Sequence, residues 1–172
     1  MWSPVKTAAL HGQSAVDSRG RFGRVVSSPG SDIEATMLLC DSAQAVGGKL
    51  YILGGGWTML AKVQPRARMS LAVKLSVPWS RANERIHVEA VLITDQGRDV
   101  ELAEGQPVRA EGDLELGRPA GLRHGTPLDA TFVMDFEGLD LEVGGYVWEL
   151  KVNDEPSART PFQVVNPPGS TA

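Results

Sequence analysis

Three consecutive glycines at residues 54–56 are the first feature of this sequence that could do chemistry. Glycine-rich turns cradle phosphate groups when a helix and a Lys-Ser or Lys-Thr pair follow them. Here Trp57 and Thr58 follow, and residues 49–53 before the glycines favour a β-strand. The sequence therefore predicts a bulge or tight turn in which at least one glycine has a positive φ, and no phosphate site.

The histidines and the single cysteine give no pattern of a metal or catalytic site. His11 lies in the N-terminal segment, His87 on the outward face of a predicted strand, and His124 in a connection rich in Gly and Pro. None stands at metal-ligand spacing from another. Cys40 lies in a continuous apolar run, which is typical of a buried and inert thiol. We therefore predict no catalytic residue, no metal ligand and no cofactor.

Acidic residues alternate along one predicted strand at Glu111, Asp113 and Glu115. Such a row is typical of a solvated strand face. A weak cation site is the alternative, because carboxylate oxygens are ligands that Ca²⁺ accepts, but the spacing matches no calcium loop.

Three residues in predicted loops are candidates for contact with a partner: Trp79, Arg118 and His124. Trp79 follows Pro78 at a strand end, where it either covers the edge of the core or belongs to a contact patch. Arg118 lies between Gly117 and a proline, and it either binds an anion or donates hydrogen bonds to loop carbonyls.

The elements that must position these residues are short strands. Apolar and polar residues alternate most clearly in residues 69–77, and similar alternation recurs between turn signals without a convincing amphipathic helix. The pattern predicts an all-β fold, a single antiparallel β-sandwich of 8–9 strands with immunoglobulin-like, Greek-key connections. Tyr146 resembles the tyrosine of the corner found in such sandwiches. The connection at residues 117–127 is long enough to cross between sheets.

Two local predictions concern turns, and a third concerns aromatic residues. A loop at residues 41–48 is predicted between the first two strands, and a turn at residues 154–157 before the last one. The rings of Trp57 and Tyr146 are predicted to be largely buried.

With 172 residues, the chain has room for one domain and a tail. Residues 1–33 lack apolar periodicity and are predicted to be a flexible, disordered N-terminal extension or a non-native one. If the segment is non-native, translation starts near Met37. The alternative is an arm that docks on a partner or a neighbouring subunit. Residues 34–166 form the predicted sandwich, and residues 167–172 a disordered tail.

Charge and hydropathy exclude some classes of protein. The net charge is −4, and the basic excess is confined to the N-terminal segment, so an acidic body argues against nucleic-acid binding. No apolar run approaches the length of a membrane span. One cysteine allows no intrachain disulfide, which fits a cytoplasmic location.

Several motifs resemble those of an uncharacterised bacterial family of unknown function, common in actinobacteria, with the signature LLCD followed by GKLYILGGGW. The resemblance covers residues 34–165 and implies a compact cytoplasmic β domain, with members that begin close to Met37. It implies no catalytic residue, substrate or cofactor. Its motifs are residues 38–41 and 48–57, residues 77–79 with Asn83, and residues 117–119, 121–122, 125–128 and 145–148.

The predicted function is therefore a non-enzymatic binding or assembly module whose partner is a protein or a second copy, and neither nucleic acid nor membrane. A structural component of a larger assembly, including one of phage origin, is the first alternative. A small-molecule enzyme is the second, and a pocket with convergent polar groups would favour it. A small-molecule ligand is not indicated by any motif.

Overall fold

The computed structural model describes residues 32–62, 67–101 and 105–167. These ranges form an all-β sandwich of two packed sheets, as the alternating pattern predicts. Nine strands lie within them: β1 (Glu34–Val46), β2 (Lys49–Gly55), β3 (Met59–Ala61), β4 (Ala67–Val77), β5 (Arg85–Thr94), β6 (Arg109–Glu115), β7 (Leu128–Leu139), β8 (Gly144–Val152) and β9 (Glu155–Val165).

The strands divide into a four-stranded sheet, in the order β2-β1-β4-β7, and a five-stranded sheet, in the order β3-β9-β8-β5-β6. The connection from β6 to β7 thus crosses from one sheet to the other, which confirms the prediction for residues 117–127. The antiparallel prediction has one exception, because β3 pairs with β9 in parallel. After the glycines at residues 54–56 the chain passes from the four-stranded sheet to the five-stranded sheet. There β3 runs in the same direction as β9.

The core lies between the sheets and follows the period-two pattern. Met69, Leu71 and Val73 of β4 point into it and are fully buried. The largest fully buried side chain is Trp148 of β8, whose indole Nε1 donates a hydrogen bond to the Met69 sulfur at 3.3 Å. Its ring packs against Phe136 with centroids 4.2 Å apart, so this aromatic pair joins the two sheets.

The packed domain begins one residue earlier than predicted. Ile33 is buried in the core, and Asp32 forms an ion pair with Arg81 at 2.9 Å. Ile33, which the sequence assigns to the N-terminal extension, therefore packs with the sandwich. The prediction of a flexible or non-native segment otherwise falls on residues 1–31, which lie outside the described residues, as do residues 168–172 of the predicted tail.

Side chains of β1 pack on both faces of the four-stranded sheet. Its first part pairs with β4 and ends at Cys40, and its second part, from Cys40 to Val46, pairs with β2. Met37 and Leu39 belong to the main core, whereas Cys40 and Ala43 belong to a second apolar cluster with side chains of β4 and β7. Cα atoms of β2 and β7 approach within 8 Å although two strands separate them in the sheet. The β1–β2 hairpin therefore bends back over the outer face of the four-stranded sheet.

Both turn predictions need correction. Residues 41–46 are strand, and only Gly47 and Gly48, with φ of 58° and 71°, form the turn of the β1–β2 hairpin. The turn before β9 consists of Asn153 and Asp154, also at positive φ, while Glu155 and the residues after it belong to the strand. Two residues at positive φ match the twist of a tight hairpin, and Asn and Asp tolerate that conformation better than most residues.

An aromatic cluster closes one end of the sandwich. Tyr146 is 8% exposed and its hydroxyl donates to the Glu142 carbonyl at 2.9 Å, as in a tyrosine corner. The ring of Phe162 stacks on Tyr146 and meets Trp57 edge-on, at centroid distances of 5.5 and 5.7 Å. Tyr146 is buried as predicted, and Trp57 is partly exposed but packs against the core with its Nε1 buried.

Candidate functional site

Trp79 stands where the end of β4 leaves the sheet. Pro78 has no N–H to continue the ladder, and its backbone, at φ −55° and ψ 145°, leads into a short 3₁₀ turn over Trp79–Arg81. The Trp79 side chain is half-buried and packs against the edge of the core. One part of the ring is therefore fixed, and the rest faces solvent.

Arg118 lies across the ring of Trp79, although 39 residues separate them in the sequence. Its guanidinium carbon is 5.2 Å from the ring centroid, within the range of a cation–π interaction. Its Nη2 also donates to the Trp79 carbonyl at 3.3 Å, which is the role of tying down a loop that the sequence favours. Arg118 is exposed and makes no other hydrogen bond among the described residues.

His124 completes a set of three side chains around one ring. Its imidazole is 5.3 Å from the Trp79 ring, between centroids, and is tilted by 54°. The structure thus brings together all three contact residues that the sequence singles out, Trp79, Arg118 and His124. The connection between β6 and β7 supplies two of them, and the end of β4 supplies the third.

These residues line an open cleft of about 800 Å³. Asp32 and Glu34, at the start of the described chain, also line it. The sequence did not indicate these two as site residues, because the segment before β1 carries no motif. Only the pairing of β1 with β4 brings them to the cleft. The remaining lining residues are Ser76, Pro78, Ser80, Gly125 and Pro127.

Next to the cleft, Arg81 forms two ion pairs. Arg81 bonds Glu84 at 2.7 Å and Asp32 at 2.9 Å, and these two hydrogen bonds raise the pKa of its guanidinium. The ring nitrogens of His124 have no hydrogen-bond partner among the described residues. Among the described residues that line the cleft, no hydrogen bond joins a hydroxyl group to a carboxylate or to His124.

Cys40 is a free cysteine. It is fully buried in the second apolar cluster, and its Sγ donates to the Ser70 carbonyl at 3.3 Å. Burial, with the nearby carboxylates of Asp41 and Asp135, raises the pKa of the thiol to about 11. The thiol is therefore protonated at neutral pH, as the apolar run predicts.

The acidic row of β6 is paired with basic residues of β5. Asp113 accepts from Arg85 at 2.6 Å and lies 3.1 Å from His87 Nδ1, and these two hydrogen bonds lower the pKa of its carboxyl group. Glu111 and Glu115 are exposed. Within residues 32–62, 67–101 and 105–167, no group of three or more His, Cys, Asp or Glu is placed to hold a metal ion. His11 lies outside the described residues.

A smaller cavity of about 320 Å³ lies on the outer face of the five-stranded sheet and is lined by charged side chains. Glu89 pairs with Arg109 at 3.4 Å and with Lys151 at 3.1 Å, and the largely buried Glu149 pairs with Arg159. These ion pairs tie neighbouring strands together, whereas Asp99, which also lines the cavity, forms no ion pair among the described residues.

The glycines at residues 54–56 lie at the end of β2 and just beyond it. Gly54 and Gly56 have φ of 60° and 85°, which confirms that positive φ is needed here. The segment that follows them is β3, so no helix N-terminus is available to a phosphate.

The part of the chain that the structure describes contains no helix that is long and apolar enough to cross a membrane.

Comparison with protein-family models gives a match to a family of unknown function (DUF6941) over residues 35–165. No curated protein matches the chain. Among solved structures, the alkylpurine DNA glycosylase AlkC of Pseudomonas fluorescens, bound to DNA containing an abasic site analog, is similar at 12% identity and a TM-score of 0.42. The similarity covers 78% of this chain and only 31% of the glycosylase chain, and it carries no argument on function.

Proposed function

The chain belongs to this family of unknown function (DUF6941), and we propose that its domain is a non-enzymatic module that binds a protein partner through the cleft around Trp79. The observation that carries the proposal is the position of Trp79, whose partly exposed side chain is flanked by Arg118 and His124. Tryptophan and arginine are the residue types most enriched among those that dominate binding energy at protein interfaces.

The charges around the cleft indicate the chemistry of the partner. Arg118 uses one hydrogen bond internally, so its other N–H donors face the solvent and fit a carboxylate of the partner. Glu34, which lines the same cleft and forms no ion pair among the described residues, fits a basic group. A surface segment with an acidic and a basic side chain on either side of an apolar one matches this arrangement.

Four further parts of the proposal rest on single features. A cytoplasmic location is supported by the free thiol of Cys40. The immunoglobulin-like description is supported by the Tyr146–Glu142 hydrogen bond and the crossing connection. A bacterial, mainly actinobacterial, distribution of the family is supported by the LLCD and GKLYILGGGW motifs. The excess of acidic residues after the N-terminal segment supports a partner other than nucleic acid.

Site-specific photo-crosslinking in the source organism tests the proposal. A photoreactive amino acid replaces Ser80, which lines the cleft, and covalent adducts are identified by mass spectrometry. We expect one protein adduct that is lost in Trp79→Ala and Arg118→Ala backgrounds. Arg123→Ala is the matched control, because Arg123 lies in the same connection and the same charge is removed, but it does not line the cleft.

Two results contradict the proposal. One is the absence of a protein adduct at Ser80. The other is an adduct that survives both Trp79→Ala and Arg118→Ala, since binding would then not depend on the cleft. Turnover of a small molecule that requires His124 would instead favour the enzyme alternative.

A further inference from the structure

We propose that the smaller cavity, on the outer face of the five-stranded sheet, binds a small zwitterion that carries one ammonium group and one carboxylate, as a free amino acid does. This site is separate from the cleft around Trp79, and it goes beyond the proposed function. Three features of the cavity support the proposal: the register of the strands that build it, unused hydrogen-bonding groups of both charges, and a lining whose charges sum to zero.

The register of the sheet places charged side chains on both sides of Val91. Val91 faces outward, since its neighbours Ala90 and Leu92 belong to the main core, yet it is only 7% exposed. Its cross-strand partners are Arg109 of β6 and Glu149 of β8. Side chains of such partners lie on the same face of a sheet, so both stand beside Val91 in the cavity.

Two further cross-strand pairs extend the lining along β5. Glu89 lies opposite Lys151 on one side of Val91, and Ile93 lies opposite Asp99 on the other. Asp99 reaches the cavity because the chain turns back after β5 and runs beside its last residues. Carboxylates and cations therefore surround an apolar centre on one sheet face.

Two carboxylates in the cavity have oxygens that accept no hydrogen bond from the described residues. The Glu149 side chain is only 10% exposed, and Arg159 donates from Nε and Nη2 to Oε2 alone, so Oε1 keeps its lone pairs. Asp99 forms no ion pair within the described part of the chain. A largely buried carboxylate oxygen without a donor is costly, and an ammonium group with its three N–H donors satisfies both residues.

Arg109 is the cation that is best placed to bind the carboxylate of the ligand. Its Nη1 lies 3.4 Å from Glu89 Oε1, which is long for a charge-assisted hydrogen bond. If Arg109 turns to a ligand, Glu89 keeps its ion pair with Lys151 at 3.1 Å, so no carboxylate is left unpaired. The guanidinium group then offers two parallel N–H donors, which match a carboxylate.

The charges of the lining select a ligand of zero net charge. Among the described residues that line the cavity, three are cationic and three are acidic: Arg109, Lys151, Arg159, Glu89, Asp99 and Glu149. A simple cation would be repelled by the first three and a simple anion by the others, whereas a zwitterion places each of its groups beside opposite charges. The volume of about 320 Å³ is at the lower end of the range for small-molecule pockets, which limits the ligand to the size of an amino acid.

Thermal melts and titration calorimetry of the full chain test the proposal, with the standard α-amino acids and unbranched ω-amino acids of increasing length as probes. We expect at least one probe, at up to about 10 mM, to raise the melting temperature in a concentration-dependent way. Asp99→Asn and Arg109→Gln should each weaken its binding by about tenfold or more. Glu101→Gln and Arg98→Gln are the matched controls, because they remove the same charges from residues that do not line the cavity. Melts without a probe check that each variant folds.

Derivatives of the bound amino acid assign its two charged groups. The N-acetyl form should bind weakly and lose nothing more in Asp99→Asn, and the carboxamide form should bind weakly and lose nothing more in Arg109→Gln. Trp79→Ala should leave the binding unchanged, which keeps this test independent of the cleft. The absence of any effect of the probes would overturn the proposal, as would binding that survives Asp99→Asn and Arg109→Gln, or derivatives that bind as tightly as the parent amino acid. A loss of stability in Asp99→Asn without binding of any probe would also overturn it, by showing that Asp99 pairs within the chain.

Discussion

The indole nitrogens of Trp148 and Trp57 have different environments, although both rings belong to the core. Trp148 donates to the Met69 sulfur, whereas Nε1 of Trp57 is buried without a hydrogen-bond partner among the described residues. A buried donor without a partner loses its hydrogen bonds to water and gains nothing in return. The ring of Trp57 is therefore stabilising, but its N–H is not.

Replacing these tryptophans should separate the two contributions. We expect Trp148→Ala to cost roughly 3–5 kcal/mol of unfolding free energy, as for a fully buried aromatic residue, and Trp57→Ala about 2–3 kcal/mol, because that ring is half-buried. Trp57→Phe should cost less than about 1 kcal/mol, since it keeps much of the contact with Phe162 and removes the unpaired N–H. Urea unfolding measures all three.

An equal loss in both alanine variants would contradict the difference in burial. A loss of less than about 1 kcal/mol in Trp57→Ala would place that ring on the surface and make it a candidate for ligand contact.

The sequence indicates which residues could form a site, but it does not indicate that they lie together. Trp79, Arg118 and His124 stand out because each lies near a proline or glycine in a loop, where polar and aromatic side chains are available for contact. That they meet around one ring depends on the path of the connection between β6 and β7, which no local pattern specifies. Asp32 and Glu34 reach the same cleft only through sheet pairing.

Among the elements, β4 was the most predictable and the β1–β2 hairpin the least. Five buried positions at period two identify β4 directly. In β1, buried positions shift from Leu39 to Cys40 and Ala43, so the strand loses its alternation where the hairpin bends. That loss of period resembles a loop, and the sequence therefore predicted a loop where there is a continuous strand.

The glycines at the end of β2 should respond to alanine in different ways. Gly54→Ala combines a positive φ of 60° with a collision with the Asp41 carboxylate, so it should cost the most, above about 1 kcal/mol. Gly56→Ala meets no close atom and should cost about 1 kcal/mol from its φ of 85° alone. Gly55 has no positive φ, but an added β-carbon would lie 2.8 Å from Ile52 and 2.9 Å from Leu38.

Melting each variant with and without a panel of nucleotides and phosphates checks this assignment. Gly54→Ala with Asp41→Ala is the control, because it removes the collision and leaves only the backbone strain. Stabilisation of the wild type by a panel member, lost in a glycine variant that melts normally alone, would show that the glycines bind phosphate after all.

At the scale of the whole molecule, composition and alternation were sufficient for the fold class, since many short strands with frequent turn signals leave few arrangements other than a sandwich or barrel. The sheet order was not predictable. The pairing of β3 with β9 joins Leu60 to Val164, and no sequence signal connects segments so far apart.

Truncation tests where the domain begins. Deleting residues 1–31 should leave the melting temperature within about 2 °C, because that segment has no apolar periodicity.

A chain that starts at Met37 lacks Ile33 and Ala35, which are both buried in the core, as well as three residues of β1. It should lose about 5 °C or more, by calorimetry. Ile33→Ala in the full chain is the control, and an unchanged midpoint in it would mean that Ile33 adds nothing to the core.

The parallel pairing of β3 with β9 also has a consequence for synthesis on the ribosome. The segments β1, β2 and β4 are complete early and can pair as soon as they emerge, but β3 has no partner until the last strand is made. The five-stranded sheet therefore closes only after translation has passed Val165, because β9 pairs with both β8 and β3. Until then β3 and the edge of β8 that receives β9 remain unpaired in the nascent chain, and an unpaired strand edge can pair with another chain.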